Sequence, residues 1–257
     1  GLHTSRLDLS RNGINVIETN ALTVGDVISL NDAATSVTVQ TVNRDASDSK
    51  VDEALQSDVV TTATLPGANG SNGSIVIQTK AGHLTLTDGA SPDNAAAVTA
   101  HGSGNIRLQA LGAETDVLAL ADADIETATG HITLLAARTI DLGAGVDVTT
   151  TAGGTLDLAA TTGSLLMATT ATLNTVNGDI RVTVGDDKED QIVIGDVTAG
   201  NANVSLETPG LVIDADAATS ATVDDVDVDV VANGLRIVAG KGVGLLLRNP
   251  GPGITYR

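Results

Sequence analysis

Cysteine is absent, and so are phenylalanine and tryptophan; a single tyrosine, Tyr256, is the only aromatic residue. Without cysteine there are no disulfides, thiolate metal centres or cysteine nucleophiles. Without large rings, the interior must be filled by Val, Ile, Leu and Ala, which suits thin, uniform layers better than a globular core anchored on aromatics. Basic residues are also scarce: 13 Lys and Arg face 32 Asp and Glu, for a net charge of −19. With the basic residues scattered singly and no stacking platform, the chain excludes a nucleic-acid partner. No stretch is apolar for long enough to span a bilayer, and nothing reads as a signal peptide.

What is present is alternation. Hydrophobic residues make up 42% of the 257 residues, with 28 glycines, and Val, Ile and Thr are abundant, a composition that favours strands divided by tight turns. The segments Gly130-His-Ile-Thr-Leu134, Gly154-Thr-Leu-Asp-Leu158 and Gly178-Asp-Ile-Arg-Val182 share one pattern: a glycine, then apolar residues alternating with polar ones. Ile132, Leu156 and Ile180 lie 24 residues apart, and further steps of 24 reach Val204 and Val228. A fixed period of this size marks stacked units that bury a shared core only by lying on one another.

Further apolar pairs fall between the copies: Ile140 and Leu142, then Val146 and Val148, before Leu156 opens the next turn. Three short strands per coil of roughly 24 residues follow. The fold expected is therefore all-β, a right-handed parallel β-helix, the hand being the one parallel crossovers take. It forms a single solenoid over 1–257 of about ten turns, roughly 50 Å long at strand spacing. Loop excursions are expected near 43–73, 88–104 and 185–190, with a brief helix over Asp48 to Gln56. Neither end reads as a cap, so continuation into further coils or stacking of copies is expected.

In such a coil the residue between two apolar ones faces outward. The first face then runs Thr85, Arg107, Thr133, Asp157, Arg181, Ser205 and Asp227 or Asp229, with Asp157 and Arg181 as neighbours on adjacent coils. The second runs Asp141, Leu166, Val193, Val212 and Arg236. Leu166, Val193 and Val212 make an outward apolar strip, a candidate interaction surface for a covering loop or a neighbouring molecule.

Gly104-Asn-Ile-Arg-Leu108, Gly130-His-Ile-Thr-Leu134 and Gly178-Asp-Ile-Arg-Val182, in a cysteine-free, aromatic-poor chain rich in Thr, Ala and Asp, resemble the filamentous haemagglutinin-like β-helical adhesins of bacterial surfaces. The resemblance covers most of residues 73–247. It implies an extracellular or cell-surface rod, used in attachment or as a stalk, with self-association and surface or matrix glycans as partners. Asn12-Gly13-Ile14 is at best a remnant of the Asn-Pro-Asn motif of that family's secretion domain.

Two other chemistries have candidates. Asp225, Asp227 and Asp229 alternate with valines and offer hard oxygen ligands for calcium, the one cofactor the residues suggest; a solvated acidic row is the plainer reading. Asp186, Asp187, Glu189 and Asp190 form a second acidic group, and Gly143-Ala-Gly145-Val-Asp147-Val148 matches part of a calcium-binding nonapeptide without recurring in tandem. For a polysaccharide lyase or hydrolase, Arg107, Asp157 and Arg181 are the available trio. The absence of rings to stack on sugars stands against that reading, and ladder pairing is the simpler role. His83 and His131 each follow a glycine, 48 residues apart, too far for one metal in a straight stack.

Overall fold

The computed structural model describes residues 2–4, 13–25, 36–54, 58–61, 73–89, 96–216 and 228–244. Among them there is no helix. Three parallel sheets of eight strands each take every third strand of the coil, so the chain winds as a parallel β-helix.

The first sheet stacks Ile14–Glu18, Ile75–Thr79, Ile106–Ala110, Ile132–Ala136, Leu156–Ala160, Ile180–Val184, Asn203–Thr208 and Gly234–Ala239. The second stacks Leu22–Val24, Leu84–Leu86, Val117–Ala119, Ile140–Leu142, Leu165–Met167, Ile192–Ile194, Leu211–Asp214 and Gly242–Val243. The third stacks Leu2–Thr4, Val59–Thr61, Ala96–Ala100, Asp124–Thr127, Asp147–Thr150, Thr172–Thr175, Asp196–Thr198 and Val230–Val231. Among the described residues each sheet has eight rungs, a stack of roughly 34 Å at strand spacing.

Alternation puts like beside like. Ile75, Ile106, Ile132, Leu156, Ile180 and Val204 form one inward row in register, and Ile77, Leu108, Leu134, Leu158, Val182 and Leu206 the next. All are essentially buried. Each fully buried aliphatic side chain contributes about 1.5–3 kcal/mol, and identical spacing lets them pack without a ring.

The repeat glycines are fixed by this stacking. A Cβ on Gly130 would lie 1.9 Å from the Gly104 carbonyl oxygen, on Gly154 1.6 Å from that of Gly130, and on Gly178 1.7 Å from that of Gly154. No side chain fits between backbones that approach so closely. The preceding strand ends on a buried threonine that satisfies a turn carbonyl: Thr127 Oγ1 donates to Gly104 O at 2.7 Å, Thr150 Oγ1 to Gly154 O at 2.9 Å and Thr175 Oγ1 to Gly178 O at 2.5 Å. The residues after the glycines form an outer ladder. His131 N donates to Asn105 Oδ1 at 2.8 Å, Thr155 N to His131 Nδ1 at 3.1 Å and Asn203 N to Asp179 Oδ1 at 2.9 Å.

Several expectations are corrected. Asp48–Ala54 is a strand, not a helix, and pairs antiparallel with Ser36–Val42 from Val42↔Asp48 to Ser36↔Ala54; its Asp-Ser-Lys-Val-Asp-Glu-Ala sequence does not alternate, and pairing with the partner strand overrides its helical composition. The two long excursions hold third-sheet rungs, Val59–Thr61 and Ala96–Ala100. The second carries a bulge opposite Asp124 and Ile125, which turns Ala96, Ala97 and Val98 all inward. Val228 is not the fifth copy: it is exposed just before the third-sheet strand, and Val204 pairs with Leu235 instead. Leu7, Leu9 and Val27 to Leu30, whose alternation reads as short strands in the sequence, lie outside the described residues.

Candidate functional site

The outward row of the first sheet is Asn15, Val76, Arg107, Thr133, Asp157, Arg181, Ser205 and Arg236. Asp157 and Arg181 are neighbours as expected, joined by two bonds, Nε to Oδ1 at 2.8 Å and Nη2 to Oδ2 at 2.7 Å. That pairing holds the Arg181 guanidinium above its usual range, first by hydrogen bonding to Asp157 and then by its charge. Arg107 stands two rungs from Asp157 on this row, with Thr133 between. Thr85 belongs to the second sheet, because Ile75–Thr79 and not Leu84–Leu86 is the first-sheet rung of its coil. Asp229 is on neither row; it precedes the third-sheet strand Val230–Val231. Arg236 caps the first-sheet row, where its Nη1 reaches Ser205 Oγ at 3.1 Å and Glu207 Oε2 at 2.9 Å.

On the second sheet the outward row is Thr23, Thr85, Leu118, Asp141, Leu166, Val193 and Ile213. Leu166 and Val193 face outward, each half-buried. Val212 does not: it pairs with Ile192 and is buried in the core, and Ile213 takes the outward place. In the run Leu211-Val-Ile every residue is apolar, so alternation leaves the register open by one.

The acidic groups serve the backbone. Asp190 Oδ2 accepts the amides of Asp186 and Asp187, each at 3.0 Å, Asp187 Oδ1 accepts that of Glu189 at 3.0 Å, and Glu189 pairs with Lys241. These are turn-capping bonds beside Gly185, whose φ is 80°. Asp147 is bound by Thr172 Oγ1 at 2.5 Å, and Gly145 N donates to Thr170 Oγ1 at 2.9 Å. Asp225 and Asp227 lie outside the described residues. Among the described residues no three His, Asp or Glu converge as a metal site would require.

Two polar clusters were not singled out by pattern. At the third-sheet corner Asp124 is buried, and its Oδ1 accepts the Asp147 amide at 2.7 Å. Burial, then the charges of Asp147, Glu126 and Asp122, push its carboxyl up to about 7 against that hydrogen bond. Burial and Asp147 also raise Glu126. Its neighbour in register is Thr99, whose buried Oγ1 has no partner among the described residues.

The second cluster lies where the first sheet turns into the second. Asp116 accepts Arg138 Nε at 2.8 Å, a further Arg138 bond from Nη2 and the Thr139 amide at 3.0 Å, and its own amide donates to His83 Nδ1 at 3.1 Å. Burial raises the Asp116 carboxyl, but the Arg138 bonds, the Thr139 amide and the charges of Arg138 and His83 outweigh it and leave it below the usual range. Beside this clamp Leu111, Ala113 and Glu114 of the corner between Ala110 and Val117 line one side of a groove of about 400 Å³. The sequence signal was corner length: Ala110 and Val117 end and begin successive strands, where the next coil turns from Ala136 to Ile140.

Comparison with protein-family models, curated protein sequences and solved structures finds no match.

Proposed function

We propose that this chain is a structural segment of a secreted or cell-surface bacterial rod, used as a stalk or in attachment, and does no catalysis. The observation that carries this reading is how the outward polar side chains are spent. Arg181 is committed to Asp157, Arg236 to Ser205 and Glu207, and His131 and Asn203 to the ladder beside the glycines. Such contacts tie coil to coil, and they engage Asp157 and Arg181, two of the three residues that sequence offered for catalysis, with each other. The likeness to filamentous haemagglutinin-like adhesins agrees with the parallel β-helix and the stacked Gly-x-Ile-x-Leu copies, although fold alone assigns no activity. A strongly acidic surface keeps an extended rod soluble.

Association through one end belongs to the same proposal. Leu235 continues the row of Ile180 and Val204, yet is 51% exposed where Val204 is 1%; Val243, in register with buried Val212, is 65% exposed. Open core positions beside strand edges that have no partner among the described residues favour strand addition.

Immunogold labelling of intact source cells with antibodies to this chain is expected to decorate the surface. Labelling only after permeabilisation would overturn the surface assignment. Electron microscopy of purified chain is expected to show end-to-end particles that Leu235→Asp disperses; particles that persist in the variant reject that mode of contact.

A further inference from the structure

The groove walled by Leu111 to Thr115 has the size of a small-ligand site; its volume is about 400 Å³, and such sites run roughly 300–1,000 Å³. Its floor is aliphatic, with Leu135, Ala137 and Ala159 supplied by two successive coils and Leu111 at the side. Thr161 and Thr162 also line the groove, the latter with its Oγ1 committed to Ala137 O at 2.9 Å, and beside the aliphatic floor lies Gln109. Gln109 lies in an outward row between Gln78 and Leu135, which Ala159 continues, and unlike a normal outward residue it is only 8% exposed. Among the described residues its carboxamide has no hydrogen-bond partner. A carboxamide this little exposed keeps few water contacts and presents one acceptor and two donors without protein partners.

The walls are held in place before any ligand arrives. Thr115 N and Oγ1 both donate to Gly112 O, at 3.1 and 2.5 Å, and Arg138 N donates to Thr115 O at 2.9 Å. Glu114 sits at φ 60°, a left-handed backbone that a non-glycine residue keeps only when its surroundings enforce it. Its carboxylate is largely exposed at the rim, 3.8 Å from Arg138 Nη1. Arg138 itself is committed to Asp116 and offers no free site for an anion. A preformed wall lowers the ordering cost of binding.

We propose that this groove binds an extended peptide segment. An aliphatic side chain lies on Leu135, Ala137 and Ala159, the peptide N–H donates to Gln109 Oε1 while Gln109 Nε2 donates to the peptide C=O, and a basic residue next in sequence faces Glu114. The paired donor and acceptor of a peptide group match a carboxamide edge. The aliphatic floor has no ring to stack on a sugar or a base. Charge selects the neighbour: with Glu114 at the rim and −19 on the chain, an acidic segment is repelled and a basic one drawn in. Gln78 precedes Gln109 in this row but is only half-buried, Leu135 and Ala159 follow it, and the corners from Thr79 to Leu84 and from Ala136 to Ile140 are shorter than the one from Ala110 to Val117, so among these described coils a buried carboxamide beside a long corner occurs here alone. It is independent of the rod reading, since any use of the rod leaves the groove in place.

The test is a titration of the isotope-labelled chain followed by amide NMR, with acetyl-Leu-Lys-amide, acetyl-Leu-Glu-amide and isopentanol as probes. The Lys peptide is expected to shift the Gln109 side-chain amide and the Ala137 and Ala159 backbone amides in a saturable way, with the Glu peptide about fivefold weaker. Gln109→Leu, with the remaining spectrum unchanged, is expected to weaken the Lys peptide about tenfold. The proposal is overturned by unmoved groove signals at about 10 mM Lys peptide, by equal affinity in Gln109→Leu, or by isopentanol binding as tightly as the peptide. If Gln109→Leu disturbs the fold, Glu114→Gln serves: loss of the Lys-over-Glu preference supports the proposal, and its persistence rejects it.

Discussion

The coil that begins at Leu156 and the rung that begins at Gly234 are built to one plan and end in opposite states. Leu156 is 1% exposed and Leu235, in the same inward row, is 51% exposed. The glycine row behaves likewise: it runs Gly104, Gly130, Gly154, Gly178 with backbone against backbone, then becomes Ala202 and Asn233 toward the last rung. At the opposite end, Ile14, Val24 and Val59 are buried. Toward Gly234 the same inward position is core where a described rung follows it and surface at the last described rung, whereas on the first described rungs Ile14 and Val24 stay buried.

The sharpest way to break that comparison is at the glycines. Gly154→Ala sets a Cβ 1.6 Å from the Gly130 carbonyl oxygen, and should cost about 3 kcal/mol or more in denaturant unfolding; Ala202→Gly should cost only about 1 kcal/mol. Comparable losses would mean that the coils are not stacked as tightly as the row implies. Next come the leucines. Leu156→Ala is expected to cost about 2–5 kcal/mol, and Leu235→Ala about 0.5–1 kcal/mol. Should the two match in dilute monomer, Leu235 is covered in solution and the contrast fails.

Thr150→Val tests the corner itself. It leaves the Gly154 carbonyl without its 2.9 Å donor and is expected to lower stability by about 1–3 kcal/mol, seen as a lower melting temperature.

Asp124 exists as a buried acid only because rungs lie on both of its sides. Its folded carboxyl titrates near 7, above the unfolded value, so the folded state binds the extra proton. That contribution is fully present below about pH 4, the unfolded value, and is lost as pH rises through 7. Asp124→Asn keeps the acceptor for the Asp147 amide. It should flatten the melting-temperature profile between those limits and raise the value at pH 8, by about 2–4 °C per kcal/mol relieved. A profile unchanged by the substitution would show that Asp124 is not the titrating group.

The smallest effect belongs to the surface pairs, which should be blind to position in the stack. Arg181→Met and Arg236→Met are each expected to cost about 0–1 kcal/mol, although one pair sits mid-stack and the other at the last rung. A larger loss at Arg181 in thermal melts would mark that pair as part of the coil-to-coil framework.

Much of the architecture was legible because a β-helix writes its period into sequence. Ile132, Leu156, Ile180 and Val204 are spaced evenly and stack in register, and Asp157 fell beside Arg181. The failures have local causes. Val228 matched the count but not the stack, because the chain takes 31 residues from Ser205 to its partner Arg236 where the preceding step takes 24. Val212 was displaced by one because Leu211, Val212 and Ile213 are all apolar and carry no in-out signal. Rungs made of Ala, such as Ala96–Ala100, were hidden in an apparent loop, because small residues mark burial only once neighbouring rungs close over them.

By itself the sequence determined the periodic content: aliphatic alternation for the inward rows, glycine where backbones must touch, and the exclusions that follow from having no cysteine and almost no rings. These are properties of one residue and its near neighbours. Tertiary structure alone decided which rung lies on which, and so buried Gln109 beside the groove, gave Asp124 its high pKa and left Leu235 exposed. Those outcomes depend on contacts between residues a coil or more apart, whose spacing varies with every corner loop.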